Sequence, residues 1–184
     1  QLRKIKGYHG DAPSSTSLID SILRLLLFWN PNLSDHHTNM GYAASVWRRS
    51  SLATFRPIGE GKNLYLSPNG KTTNFDVKKL SEAQIGYFNV HGVEDAGEWY
   101  GQKDPVENES GPDFPVALRP VDIQRVSTAP RIVYCEACYG GHVFEKTEEQ
   151  SIALTMLGKG VLAMVGSTTI SYGSVTTPLI GADL

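Results

Sequence analysis

The sequence has little of several things that would decide a function class at once. Only two cysteines occur, Cys135 and Cys138, so no disulfide framework of the kind that staples small secreted domains can form. No block of Lys or Arg stands out and the formal net charge is −2, so nothing resembles a phosphate-backbone footprint and no nucleic-acid partner is expected. Long hydrophobic runs are missing too. The strongest, Leu18-Ile19 through Leu25-Leu26-Leu27-Phe28-Trp29, is broken by Asp20, Ser21 and Arg24, which excludes a membrane span in this segment. No small-residue cleavage pattern follows it, so it does not read as a signal peptide. There is no internal repeat, no second C-x-x-C and no H-x-x-x-H pair.

What is present is enough for one domain with a real core: 184 residues, 40% of them hydrophobic. The chain begins at Gln1 without a Met and stops at Leu184 in mid-pattern. It is read as a single domain over 1–184 that is a fragment or a processed piece, with an N-terminal strand region and a C-terminal remainder missing. Ser14 to Ser17 supplies N-caps for a helix whose apolar residues recur at Leu18, Ile19, Ile22, Leu23, Leu25 and Leu26, and Asn30-Pro31-Asn32 ends it. A second helix is predicted from Met40 to Phe55, closed by Arg56-Pro57. Asn63 to Leu66 reads as a short strand, cut by the turn-forming Ser67-Pro68-Asn69-Gly70.

Three later segments read as buried strands. Ile85 to Val90 runs into His91-Gly92, Arg131 to Tyr134 into Cys135 and Cys138, and Val161 to Val165 into Gly166-Ser167. An amphipathic helix over Gln150 to Leu157 lies between the last two, and Gln102 to Pro120 reads as an exposed loop rich in Pro, Gly and acids. Strands alternating with helices predict an α/β fold with a mainly parallel sheet.

In such a sheet, ligands bind beyond the carboxyl ends of the strands. His91 and Cys138 each follow a predicted strand, so neighbouring strands would bring a thiol and its base to one sheet edge. A sharp turn at Gly92 leaves its N–H unshielded, and the Gly92 and Cys138 amides are candidates for an oxyanion hole. A helix starting after Cys138 would lower the thiol pKa.

Asn89-Val90-His91-Gly92 and Tyr134-Cys135-Glu136-Ala137-Cys138-Tyr139-Gly140-Gly141 resemble the His-Gly and Ala-Cys blocks of the caspase-like cysteine peptidases, the gingipain-like family most of all. The resemblance covers roughly Gln84 to Leu184 and includes the third strand and its tail to Asp183. It implies a caspase-hemoglobinase-like three-layer sandwich and an endopeptidase that forms a thioester acyl-enzyme. His91 and Cys138 are then catalytic, with Gly92 and Cys138 as the oxyanion hole. The family often adds a carboxylate that orients the His; Glu94, Asp95, Glu98 and Glu136 are the candidates. Ser167 to Ser174 resembles the wall of the specificity pocket, with Ser167 and Tyr172 as contacts. Glu94, Asp95 and Glu98 suit a basic Arg or Lys before the scissile bond. Trp99, with Tyr100, either lines a substrate groove or packs. Against the family pattern, no first strand is evident and the loop between His91 and Cys138 is long.

The chemistry requires no cofactor. A structural calcium is compatible with the family but no ligand pattern specifies it. The partners implied are a peptide or protein substrate, together with further domains or a second chain of the same precursor; the compartment is not legible. Other readings stay open. Cys135 and Cys138 form a C-x-x-C that suits a thiol-disulfide oxidoreductase, with Thr177-Pro178 cast as the proline loop opposite it. A zinc site from Cys135, Cys138, His91 and His142 is allowed by ligand type, and His36-His37 reads as surface. A catalytically silent interaction module is the third class. A class I glutaminase is disfavoured, because its nucleophile precedes its His whereas His91 precedes Cys138.

Overall fold

In the computed structural model, residues 39–69, 75–106 and 111–172 are described. The helix expected over Leu18 to Trp29, His36-His37, and the tail from Gly173 through Thr177-Pro178 to Asp183 lie outside them.

Five strands form one parallel sheet: β1 (Met40–Ala44), β2 (Leu64–Ser67), β3 (Ile85–Asn89), β7 (Ile132–Cys135) and β8 (Ala163–Gly166), in the order β2-β1-β3-β7-β8. Three short strands, β4 (His91–Gly92), β5 (Trp99–Tyr100) and β6 (Val116–Leu118), make a separate antiparallel sheet in that order. Helix α1 (Arg48–Phe55) follows β1; α2 (Lys79–Glu82), α3 (Pro120–Gln124) and α4 (Ile152–Gly158) precede β3, β7 and β8. The α/β class and the mainly parallel sheet expected from the sequence are therefore present, and the arrangement is compatible with a three-layer sandwich.

β3, β7 and β8, the three strands expected from the later segments, lie side by side in the sheet. Phe88 of β3 pairs with Cys135 of β7, and Cys135 pairs with Gly166 of β8. β3 is buried on both faces, with Tyr87 and Phe88 pointing to opposite sides at 0% exposure, as expected of an inner parallel strand. On one face, Phe88, Val133 and Cys135 pack against Leu80, Ile123, Ile152 and Met156 from α2, α3 and α4. The ring of Trp99 joins them, 5.2 Å from Phe88, and ties the small sheet to the same core. On the other face, Phe55 of α1 packs with Ala43, Leu64, Leu66 and Tyr87.

Three expectations are corrected. Met40 to Phe55 is not one helix: its first five residues are strand β1, a short 3₁₀ turn follows, and only Arg48–Phe55 is α-helical. All five residues of β1 are buried, between β2 and β3, so the strand has no polar face and its apolar run carries no period that separates strand from helix. Among the described residues the sheet thus includes a strand before β2 that the sequence did not reveal. Within Gln102 to Pro120, Val116–Leu118 is strand β6, with Leu118 buried in the core. Finally, no helix begins at Cys138. The chain turns there, with Tyr139 at φ 55, and the next α-helix starts at Ile152.

Candidate functional site at the carboxyl edge of the sheet

Because the five strands are parallel, their carboxyl ends share one edge. The chain steps from β1 to β2 on one side and then to β3 on the other, so strand order reverses between β1 and β3. His91 leaves β3 beside this switch point, where open α/β sheets bind ligands. Trp47 comes from the turn after β1, and its ring lies 4.4 Å from that of His91, centroid to centroid. Phe114 meets the imidazole edge-on at 5.3 Å. Nε2 of His91 is 2.8 Å from Oε1 of Gln102.

Cys138 follows β7 by way of Glu136, whose N–H donates to the Phe88 carbonyl at 2.8 Å and so keeps the two chains together beyond the ladder. The His-Gly and Ala-Cys blocks touch through Gly92. A methyl group there would lie 2.1 Å from the carbonyl oxygen of Cys138 and 3.5 Å from Cβ of Ala137. The two residues expected to share an oxyanion hole are thus backbone neighbours.

The side chains of the pair hold other partners. The half-buried Cys138 sulfur is 3.3 Å from both the N–H and the carbonyl oxygen of Ser171, accepting from the first and donating to the second. Ser171 reaches it because the segment after β8 is laced to the Cys138 turn. Tyr139 N–H donates to the Thr169 carbonyl and Gly141 N–H to the Ser167 carbonyl, each at 2.8 Å. Tyr172, expected as a contact of the specificity pocket, is 81% exposed.

Of the carboxylates considered for orienting His91, none bonds to it. Glu136 accepts from the Tyr87 hydroxyl at 2.9 Å on the far face of the sheet, where burial pushes its carboxyl pKa up against the lowering effect of that bond. Glu98 accepts from the Tyr100 hydroxyl at 3.4 Å. Glu94, Asp95 and Glu98 instead border an open cleft of about 550 Å³, facing His142, Phe144, Glu145 and Glu149. Glu94 and His142 also border a narrow pocket that reaches Gly92 and Cys138, so the acidic cleft adjoins the Cys138 turn. Trp99 is 4% exposed and packs in the core.

Cys135 is buried at the end of β7, and burial pushes its thiol pKa up to about 12. Such a thiol is almost entirely protonated near neutrality and is a poor partner for disulfide exchange. The residues considered for zinc do not converge: among the described residues no group of three or more His, Cys, Asp or Glu is placed to hold a metal ion. Among the described residues, too, no helix is long and apolar enough to cross a membrane.

Gln102, Trp47 and Phe114 were not singled out from the sequence, and Ser171 only as part of the Ser167 to Ser174 segment. Each reaches the site through tertiary packing, and no local spacing marks them. No protein family, curated protein or solved structure matches the chain.

Proposed function

We propose that this chain is a cysteine endopeptidase domain of the caspase-like, gingipain-like type, with Cys138 as nucleophile and His91 as its proton-transfer partner. The observation that supports this most is the delivery of an imidazole and a half-buried thiol to one sheet edge by adjacent parallel strands, with Gly92 against the Cys138 backbone.

In this mechanism a peptide displaces the Ser171 backbone from the sulfur and His91 takes the thiol proton. The thiolate attacks the scissile carbonyl, and the resulting oxyanion is held by the Gly92 and Cys138 amides. Collapse of this intermediate breaks the C–N bond, the imidazolium protonates the leaving amine, and a thioester remains. Water activated by His91 then hydrolyses it. The acidic cleft that adjoins the Cys138 turn supports a preference for Arg or Lys before the scissile bond.

The test is labelling with a peptidyl acyloxymethyl ketone bearing Arg or Lys. Cys138→Ala is expected to abolish labelling, Cys135→Ala to retain it, and His91→Ala to slow it by about 10²-fold or more. A requirement for both cysteines, with a measurable dithiol-disulfide couple, would replace this reading with the redox one. A folded protein that no probe labels would be a silent interaction module.

A further inference from the structure

We propose that Gln102 is the positioning residue for His91, its side-chain oxygen accepting the Nε2 proton so that Nδ1 is the nitrogen that exchanges protons with Cys138. This rests on the dyad reading above, which assigned no orienting group.

The Gln102 oxygen is the hydrogen-bond partner of the ring, at 2.8 Å. Trp47 and Phe114 restrain the plane of the imidazole, but ring faces and edges do not choose between its two nitrogens. The backbone of Gln102 is fixed from both sides. Its N–H donates to the Ser67 carbonyl at the end of β2 (2.9 Å), and its carbonyl accepts from Val46 N–H after β1 (3.2 Å). Gly101 permits this approach, since a methyl group there would come within 2.2 Å of the Ser67 carbonyl oxygen. The side chain therefore springs from a seat held by the ends of β1, which pairs with β3, and of β2, the strand beyond it.

The direction of the bond follows from the cycle. A histidine that alternates between imidazole and imidazolium carries a proton on the outward nitrogen in both states only if the group opposite is an acceptor. An amide oriented by its NH₂ would lose its bond each time the ring was protonated. The amide oxygen serves both forms, and it does so without the full negative charge of a carboxylate.

The experiment uses the whole chain with ¹⁵N-labelled histidine, His91 being assigned from the signal missing in His91→Ala. The Nε2–H proton of His91 is expected to be protected from solvent exchange in the unmodified protein and in Gln102→Glu, and to be lost in Gln102→Leu. The maximal rate of Cys138 labelling should fall about tenfold in Gln102→Leu, with little change in probe affinity, and be restored in Gln102→Glu. In Gln102→Glu the pH profile of labelling should also move upward by about one unit, because a carboxylate favours the imidazolium. A merely structural glutamine would not produce that shift, and Gln102→Glu, nearly isosteric, reads it even if Gln102→Leu does not fold. Retention of the protected proton in folded Gln102→Leu, or an unmoved profile in Gln102→Glu, overturns the proposal. Labelling unaffected by His91→Ala would overturn the dyad instead, while the proton signal would still report whether Gln102 holds the ring.

Discussion

At Gly92 the space available is smaller than one methyl group, and the obstacle is backbone rather than a side chain able to swing away. Gly92→Ala is expected to force the His-Gly and Ala-Cys blocks apart. It should slow labelling of Cys138 by about 10²-fold, since small misplacements of reacting groups carry that penalty, and destabilise the fold by about 1–3 kcal/mol. Labelling rates read beside thermal melts separate the two effects. Cys135 gives a second expectation. Its folded-state pKa of about 12 lies above the ordinary thiol value of 9.0, so between those pH values the folded chain holds a proton that the unfolded chain has released. The resulting stability is fully present below about pH 9 and is lost as pH rises toward about 12. Cys135→Ala should flatten that part of the stability profile, measured by denaturant unfolding from pH 8 to 11. The sequence marked His91, Gly92 and Cys138 as candidates because each sits in a short block whose neighbours have a local use. It did not mark Gln102, since an amide in a loop has no pattern, and its contact with His91 depends on where the ends of β1 and β2 lie.

The elements differed in legibility for a physical reason. β3, β7 and β8 each combine an apolar run with an adjacent turn, and α4 pairs an amphipathic stretch with Ser151 at its N-cap. β1 offers Met40-Gly41-Tyr42-Ala43-Ala44, where glycine and alanine give little strand propensity and burial on both faces erases alternation. Its strand character comes from being flanked by β2 and β3, and a window of sequence does not contain that. Ser151 joins one legible element to the site. Its hydroxyl oxygen accepts from Leu154 N–H at 3.4 Å, and the hydroxyl donates to the carbonyl of His142 at 3.1 Å, in the loop that follows Cys138. Ser151→Ala should cost about 1 kcal/mol for the cap and speed hydrogen exchange in the loop around His142. A melting curve and an exchange map would show both.

Over the whole molecule the charge is nearly balanced, yet the cleft that adjoins the Cys138 turn is bordered by Glu94, Asp95, Glu98, Glu145 and Glu149, with Lys146 as the counter-charge on its wall. A concave surface with an excess of one charge concentrates ligands of the other. Labelling by a probe bearing Arg should therefore fall as salt is raised from about 0.01 to 0.15 M, where the Debye length shrinks from about 30 to about 8 Å. A neutral probe of the same length should be indifferent to salt.

The two contacts between Ser171 and the Cys138 sulfur have a kinetic consequence. An electrophile is expected to compete with that backbone for the half-buried sulfur. At low reagent concentration the alkylation rate should rise in proportion to reagent. At high concentration it should level off at the rate at which that backbone swings aside, a ceiling that is the same for every small reagent and that a lengthened β8-to-Ser171 connection would raise. The thiol would then serve as a clock for the segment that covers it.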